Sequence, residues 1–321
     1  FLDQRGAELG EELYKVSEMY ARYRHRNYFL SPSSPSKRIM RGRCVIGSTL
    51  VNTNDGFLFM RELVTRDGYK KINYKSIDGP DGLKSISHTY RDEDSTIKIT
   101  TNNGYQIEGT YEHPMLVLTS DLSYKWIRLD EIKVGDYIVS KTKFNTPIFG
   151  SNPISKTMAG LLGYLTANGR GSCFCSGQSA VIARFSSYAK TEGYIASPWV
   201  QKSHKVPRYN LKRGSNPIPF KHQMKKYGYT YRNSRDKEIP YCIRTAPKEV
   251  LHEYLESYFE CDCNINGGGD NKLGSERPFV LNVSSASKKF IDQMQVILLM
   301  AYDIASKRSS RTHYDRLNKK T

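Results

Sequence analysis

Thr96-Ile-Lys-Ile-Thr-Thr-Asn-Asn103-Gly104-Tyr-Gln-Ile-Glu108 alternates apolar and polar side chains on either side of an Asn-Gly pair. A period of two turns one face of each run toward a core, and Asn103-Gly104 supplies a tight two-residue turn between them, so the stretch predicts a β hairpin. Around it lie further strand-like runs, Met115-Leu-Val-Leu118 and Tyr137-Ile-Val-Ser140, with Val134-Gly-Asp136 as the turn before the second. Residues 44 to 147 therefore read as an all-β domain.

Upstream, Leu9, Leu13, Val16, Met19 and Tyr23 recur at steps of three and four, with Glu8, Glu11 and Glu12 near one end, which predicts an amphipathic helix. That pattern stops at Ser31-Pro-Ser-Ser-Pro35, and Lys37-Arg-Ile-Met-Arg-Gly-Arg43 reads as a short strand entering a loop. Downstream of Pro147 the helical period returns in Met158–Ala167, in Val250–Glu260 and in about Ser287 to Ala301, where Phe290, Met294, Ile297, Leu298 and Ala301 share a face. The Tyr-, Lys- and Arg-rich stretch from Ser203 to Arg244 reads as strands or loops. Residues 148 to 321 are thus expected to form a second, α+β domain.

The chain's 49 Lys and Arg against 32 Asp and Glu give a net charge of +17, and that excess is uneven. Residues 1 to 43 hold 9 basic and 5 acidic side chains, 44 to 147 hold 13 and 14, and 148 to 321 hold 27 and 13. The last segment, at +14, carries nearly all the excess, which points to a polyanionic partner, nucleic acid, for that domain. No run approaches the roughly 20 apolar residues of a membrane span, so the chain is expected to be soluble and cytoplasmic. Six cysteines, at 44, 173, 175, 242, 261 and 263, form neither a disulfide scaffold nor a CxxC ribbon, and a reducing compartment without structural zinc is expected. Cys173-Phe-Cys175 and Cys261-Asp-Cys263 lack the histidines that a zinc site needs.

The chemistry-bearing residues of the first half are Cys44 and Thr110-Tyr-Glu-His113-Pro114. If His113 lies beside the peptide bond before Cys44, an imidazole can protonate the departing nitrogen while the thiol attacks the carbonyl of Arg43, giving a thioester. Thr110 is placed to hydrogen-bond that peptide or the tetrahedral oxyanion. From spacing alone, a threonine and a histidine in an ordinary β turn are the commoner outcome.

Three stretches together resemble the N-terminal splicing blocks of an intein: Cys44-Val-Ile-Gly-Ser-Thr-Leu-Val-Asn-Thr-Asn-Asp-Gly56, then Gly104-Tyr-Gln-Ile-Glu-Gly-Thr110-Tyr-Glu-His113-Pro114, then Trp126-Ile-Arg-Leu-Asp-Glu-Ile-Lys-Val-Gly-Asp136. The resemblance implies a twisted all-β Hint fold, with Cys44 as first intein residue and acyl-shift nucleophile and Thr110 and His113 as the assisting pair. Residues 1 to 43 would be the N-extein. Gly160-Leu-Leu-Gly163-Tyr-Leu-Thr-Ala167-Asn168-Gly169 and Leu255-Glu-Ser257-Tyr-Phe-Glu-Cys-Asp262-Cys-Asn-Ile265, with Val280–Lys288, resemble the paired motifs of LAGLIDADG homing endonucleases over roughly residues 157 to 308. That family packs two helices side by side and holds Mg2+ at their ends through carboxylates, where the negative helix dipoles add to the attraction. Here the first position is Asn168, Ser257 and Cys263 replace customary glycines, and Asp262 alone keeps a charge. The resemblance implies double-stranded DNA as partner, but metal binding by Asp262 and Asn168 and DNA cleavage are expected to be impaired.

The implied fold class is a multi-domain chain, an incomplete all-β Hint splicing fold followed by an α+β endonuclease domain, with the C-terminal Hint half absent. Leu317-Asn318-Lys-Lys-Thr321 does not resemble the family's closing His-Asn pair, so a C-terminal intein segment and C-extein are expected as partners. The alternative is a catalytically dead, DNA-binding insertion in a truncated or split intein. Residues 37 to 43 and the run before them resemble the approach to the P-loop of phage terminase large subunits. A Hint domain of secreted signalling precursors is disfavoured by the nuclease-like second half.

Overall fold

The computed structural model describes residues 11–31, 44–64, 67–79, 82–141, 148–199, 206–229, 233–266 and 280–310. The chain divides into two compact units: Phe1–Val51, Phe59–Pro147 and Gln295–Thr321 form the first, and Asn52–Leu58 with Ile148–Met294 form the second. The run Lys37–Arg43 with its P-loop resemblance, Leu9 at the start of the expected helix, and the ending Leu317–Thr321 lie outside the described residues.

A ten-stranded sheet, all of it in the first unit but for the parts of β3 and β4 within Asn52–Leu58, is made of β1 (Glu11–Ser31), β2 (Val45–Ile46), β3 (Leu50–Thr53), β4 (Gly56–Phe59), β5 (Gly68–Gly79), β6 (Gly82–Thr101), β7 (Gln106–Thr110), β8 (Pro114–Leu118), β9 (Tyr124–Arg128) and β10 (Tyr137–Lys141). A single helical turn, α1 (Met60–Leu63), follows β4. The strands run in the order β4-β3-β5-β6-β7-β2-β1-β10-β8-β9, with β6 also pairing to β1. The helix expected over the first segment is therefore corrected: Glu11–Ser31 is a strand, paired antiparallel with β6 from Val16 opposite Thr101 to Ser31 opposite His88, and with β10 from Glu11 opposite Lys141. Tyr14, Val16, Tyr20, Tyr23, Tyr28 and Phe29 are strand-favouring residues, and the long ladder offered by β6 outweighs a helical spacing of apolar positions.

The central hairpin forms where expected, with a turn one residue longer. Thr101 N–H donates to Tyr105 O at 2.9 Å, Gly104 N–H to Thr101 O at 2.9 Å, and Gly104 has φ +88°. This is a three-residue loop ending in a left-handed glycine, whose twist suits the flanking strands as well as the shorter turn does. Beneath it Ile97, Ile99, Val117, Leu129, Ile132 and Ile138 make one apolar core, and Val45, Met60 and Val64 make a second beside the start of β2.

In the second unit the helices are α2 (Lys156–Asn168), α3 (Ser179–Thr191), α4 (Phe220–Lys226), α5 (Tyr241–Arg244) and α6 (Lys248–Asp262), and α7 (Lys288–Tyr302) runs from this unit into the first. A sheet of order β11 (Gly169–Arg170), β12 (Cys173–Cys175), β14 (Arg208–Arg213), β13 (Tyr194–Trp199) buries Phe174, Tyr194 and Leu211 on one face, and β15 (Cys263–Asn266) pairs with β16 (Val280–Val283). Within Ser203–Arg244, the described part holds one strand and two short helices rather than strands and loops alone. Pro219 and Pro240 stand just before those helices, where a missing N–H costs nothing. Among the described residues no helix is long and apolar enough to cross a membrane.

Candidate functional site

In the first unit, Val45 pairs with Gly109, which closes the 66-residue gap between Cys44 and Thr110. Thr110 N–H donates to Cys44 O at 2.9 Å. The Thr110 hydroxyl accepts from Cys44 N–H at 2.9 Å and lies 3.3 Å from Cys44 O as donor. Both residues are 2% exposed. The turn continues to His113, whose N–H donates to Thr110 O at 3.1 Å and whose carbonyl accepts from Leu129 N–H at 2.9 Å.

Gly109 permits this convergence. A Cβ there would lie 2.6 Å from Cys44 O and 3.4 Å from His113 Cβ, so the missing side chain leaves one small space bordered by both residues. The structure thus brings Cys44, Thr110 and His113 together, and assigns the Thr110 hydroxyl to the amide nitrogen on the Cys44 side of the preceding peptide bond. Sequence reading passed over Gly109, as it did the polar face of the same hairpin. There Thr96 stands opposite Thr110 and Lys98 opposite Glu108. Glu108 is 4% exposed, accepts from the Thr96 hydroxyl at 3.1 Å and lies 2.7 Å from Lys98 Nζ. An acid and a base facing each other across the hairpin were the available signal.

In the second unit, α2 and α6 pack closely. A Cβ on Gly163 would come 2.3 Å from Tyr254 O and 2.9 Å from Ser257 Cβ, and one on Gly160 would meet the Tyr188 ring at 2.4 Å, so glycine at 163 lets the two backbones approach. Asn168 and Asp262 are the last residues of the two helices. Asn168 and Cys261, with Cys175, Gln178 and Arg208, line an open cleft of about 460 Å³. Buried Lys237, which sequence reading missed, donates from Nζ to Ala167 O at 2.7 Å at the end of α2. Burial pushes the Lys237 ammonium down, with Asp262 pulling it back, and burial pushes the Asp262 carboxyl up against the pull of Tyr258 and Lys237. Cys261 is pushed up to about 12 by burial and by the charges of Asp262 and Glu260.

The two helix ends do meet, but they are a poor fit to Mg2+. One carboxylate, a neutral amide and a neighbouring ammonium supply less negative charge than a hard divalent cation recruits. Among the described residues no three His, Cys, Asp or Glu side chains gather closely enough to hold a metal.

In the first unit, then, a buried cysteine amide meets a threonine hydroxyl, with a histidine close by. The chain belongs to the intein splicing family: the family model described as the intein splicing domain matches residues 49–316. It is 25% identical over 288 residues to the replication factor C small subunit of Methanocaldococcus jannaschii, covering 83% of this chain and 14% of that protein. It is 30% identical over 139 residues to the replication factor C small subunit of Pyrococcus furiosus, covering 40% and 16%. Over 76 residues it is 36% identical to a probable translation initiation factor IF-2 of Methanocaldococcus jannaschii, covering 24% of this chain and 6% of that protein. The chain therefore spans only a small fraction of these relatives.

Proposed function

We propose that this chain begins protein splicing by an N-to-S acyl shift at Cys44, and that its second unit binds duplex DNA with little or no cleavage. The Cys44 sulfur attacks the carbonyl carbon of Arg43. A carbon–sulfur bond forms, the carbon–nitrogen bond to Cys44 breaks, and the thiol proton ends on the Cys44 nitrogen, with His113 as its carrier. The products are a thioester and an amine at residue 44. The observation that carries this reading is the Thr110 hydroxyl on the Cys44 N–H, in a buried site that His113 borders. Residues 1 to 43 are then the flanking segment. Similarity to small parts of relatives with unrelated names supports an element that resides in different hosts.

For the second unit the support is chemical. The segment 148 to 321 carries +14, and strand alternation with the observed register sets Arg170, Arg208, Asn210 and Lys212 on the sheet face opposite buried Phe174 and Leu211. The paired helices ending in Asn168 and Asp262 are the LAGLIDADG-like part, and Asn168 is the reason cleavage is expected to be impaired.

Hydroxylamine cleaves thioesters, so incubating the full chain with it is expected to release residues 1–43, read by mass spectrometry, and Cys44→Ala is expected to release nothing. Intact wild-type chain after prolonged treatment would refute the Cys44 reading. For the second unit, duplex affinity is expected to fall steeply with salt while Mg2+ yields no nicked product, and salt-insensitive binding or efficient nicking would refute it.

A further inference from the structure

Thr96, Lys98, Glu108 and Thr110 share one face of the β6–β7 hairpin, because strand alternation and the observed register align them two by two. Thr96 is fully buried and Glu108 nearly so, and because buried ion pairs can often be replaced whole by apolar groups of similar volume, stability alone is a poor account of a carboxylate in that place. What the pair does is local. Lys98 at 2.7 Å holds Glu108, Glu108 takes the Thr96 hydroxyl at 3.1 Å, and directly opposed residues such as Thr96 and Thr110 have Cβ atoms about 5 Å apart. Thr96 therefore walls the side of Thr110, whose hydroxyl receives the Cys44 N–H.

We infer that Glu108 is a positioning residue for the acyl shift. Acting through Thr96, it confines the Thr110 hydroxyl to the orientation that accepts from the nitrogen at residue 44. Its charge, two residues along the strand from Thr110, favours the protonated amine that forms there. A threonine in an unpinned pocket has more than one χ1 well, and only some of them direct the oxygen at Cys44. A fully satisfied buried network selects one arrangement. This inference rests on the acyl-shift reading and extends it to residues that do not touch the reacting atoms.

The test follows hydroxylamine-dependent release of residues 1–43 from the full chain, between pH 6 and 9, with thermal melting as the fold control. Thr96→Val keeps size and removes the hydroxyl, and is expected to slow release about tenfold, whereas Thr96→Ser stays within about twofold of wild type. Glu108→Gln keeps an acceptor for Thr96 and removes the charge. It is expected to slow release about threefold and to move the pH at which release declines downward by about half a unit, because the amine loses a nearby anion. Thr96→Val and Glu108→Gln variants that melt like wild type and release at its rate with its pH profile would overturn the inference while leaving the Cys44 reading intact. Should Glu108→Gln fail to fold, the Thr96→Val and Thr96→Ser pair decides alone. Absence of release from wild type would refute the acyl-shift reading and the positioning role with it.

Discussion

Replacing Thr110 with valine tests the centre most directly, because the two side chains have nearly the same shape and differ in the hydroxyl that meets Cys44. Thr110 is 2% exposed and its oxygen lies 2.9 Å from the Cys44 nitrogen, so no water can easily substitute. Leaving a buried N–H without its acceptor costs about 1–3 kcal/mol of stability, which affects the resting chain and the transition state alike. The rate changes only by the part of the hydrogen bond that strengthens during reaction. As the carbon–nitrogen bond breaks, the nitrogen takes up a proton, and a neutral hydrogen bond worth about 1 kcal/mol becomes a charge-assisted one worth about 2–2.5. The difference, roughly 1–1.5 kcal/mol, corresponds to about a tenfold slower acyl shift. Time courses of residues 1–43 released by hydroxylamine give that rate, and Thr110→Ser, which keeps the hydroxyl, is expected within about threefold of wild type. A Thr110→Val variant that folds and releases the segment at the wild-type rate would refute the claim that this hydroxyl acts on the scissile amide.

His113→Ala is expected to slow the same release by about 10²-fold or more, the usual worth of a positioned acid–base group, while melting is nearly unchanged because His113 is only partly buried. Gly163→Ala is expected to destabilise the second unit by about 1–3 kcal/mol, several degrees in Tm, since the added methyl meets Tyr254 O at 2.3 Å and the usual helix gain of alanine over glycine is only about 1 kcal/mol. A Tm that rises would mean that the helices are less close than described. Cys261 and Cys242, both pushed up to about 12 from the ordinary 9.0, hold about a thousandfold less thiolate at pH 8 than an ordinary thiol. Iodoacetamide labelling followed by peptide mass spectrometry is expected to leave both unmodified in the folded chain and to modify both in urea, with protection at Cys261 lost as the pH approaches 12.

Legibility in the sequence followed how local each determinant is. The β6–β7 hairpin announces itself because its period-two alternation and its Asn-Gly turn occupy adjacent residues, and only the loop length, set by Gly104 at φ +88°, escaped. The bodies of α2 and α6 were legible for the same reason, since each carries its own period over Met158–Ala167 or Val250–Glu260, but their last residues, Asn168 and Asp262, stood out only through the family resemblance. Glu11–Ser31 was misread because its conformation depends on partners in β6 some 70 residues away, which no local pattern reveals. Lys237 was invisible, since its partner Ala167 O lies 70 residues upstream and a lysine in a basic stretch reads as solvated by default. Glu108 was missed on the same default, and its burial beside Lys98 is a tertiary fact.

The placement of charge separates the two proposed activities physically. Residues 44 to 147 carry a net charge of -1, and Thr110, which meets Cys44, His113 and the Thr96–Glu108–Lys98 chain beside Thr110 all lie within that stretch. Such a centre works on its own backbone and needs neither a polyanion nor a metal to bind its substrate, which is already covalently present. What it needs is orientation, and proximity alone is worth many orders of magnitude in rate when the reacting atoms are held in one geometry. Residues 148 to 321, at +14, have the opposite requirement on the DNA-binding proposal: an external partner, held by charge and therefore loosened by salt. Raising the ionic strength should thus strip DNA from the chain while leaving the release of residues 1–43 nearly unchanged, because the Lys98–Glu108 pair, with its carboxylate buried, is far less screened than an exposed one. Parallel loss of both activities over the same salt range would mean that the acyl shift depends on bound nucleic acid, and the self-contained centre described for Cys44 would have to be abandoned.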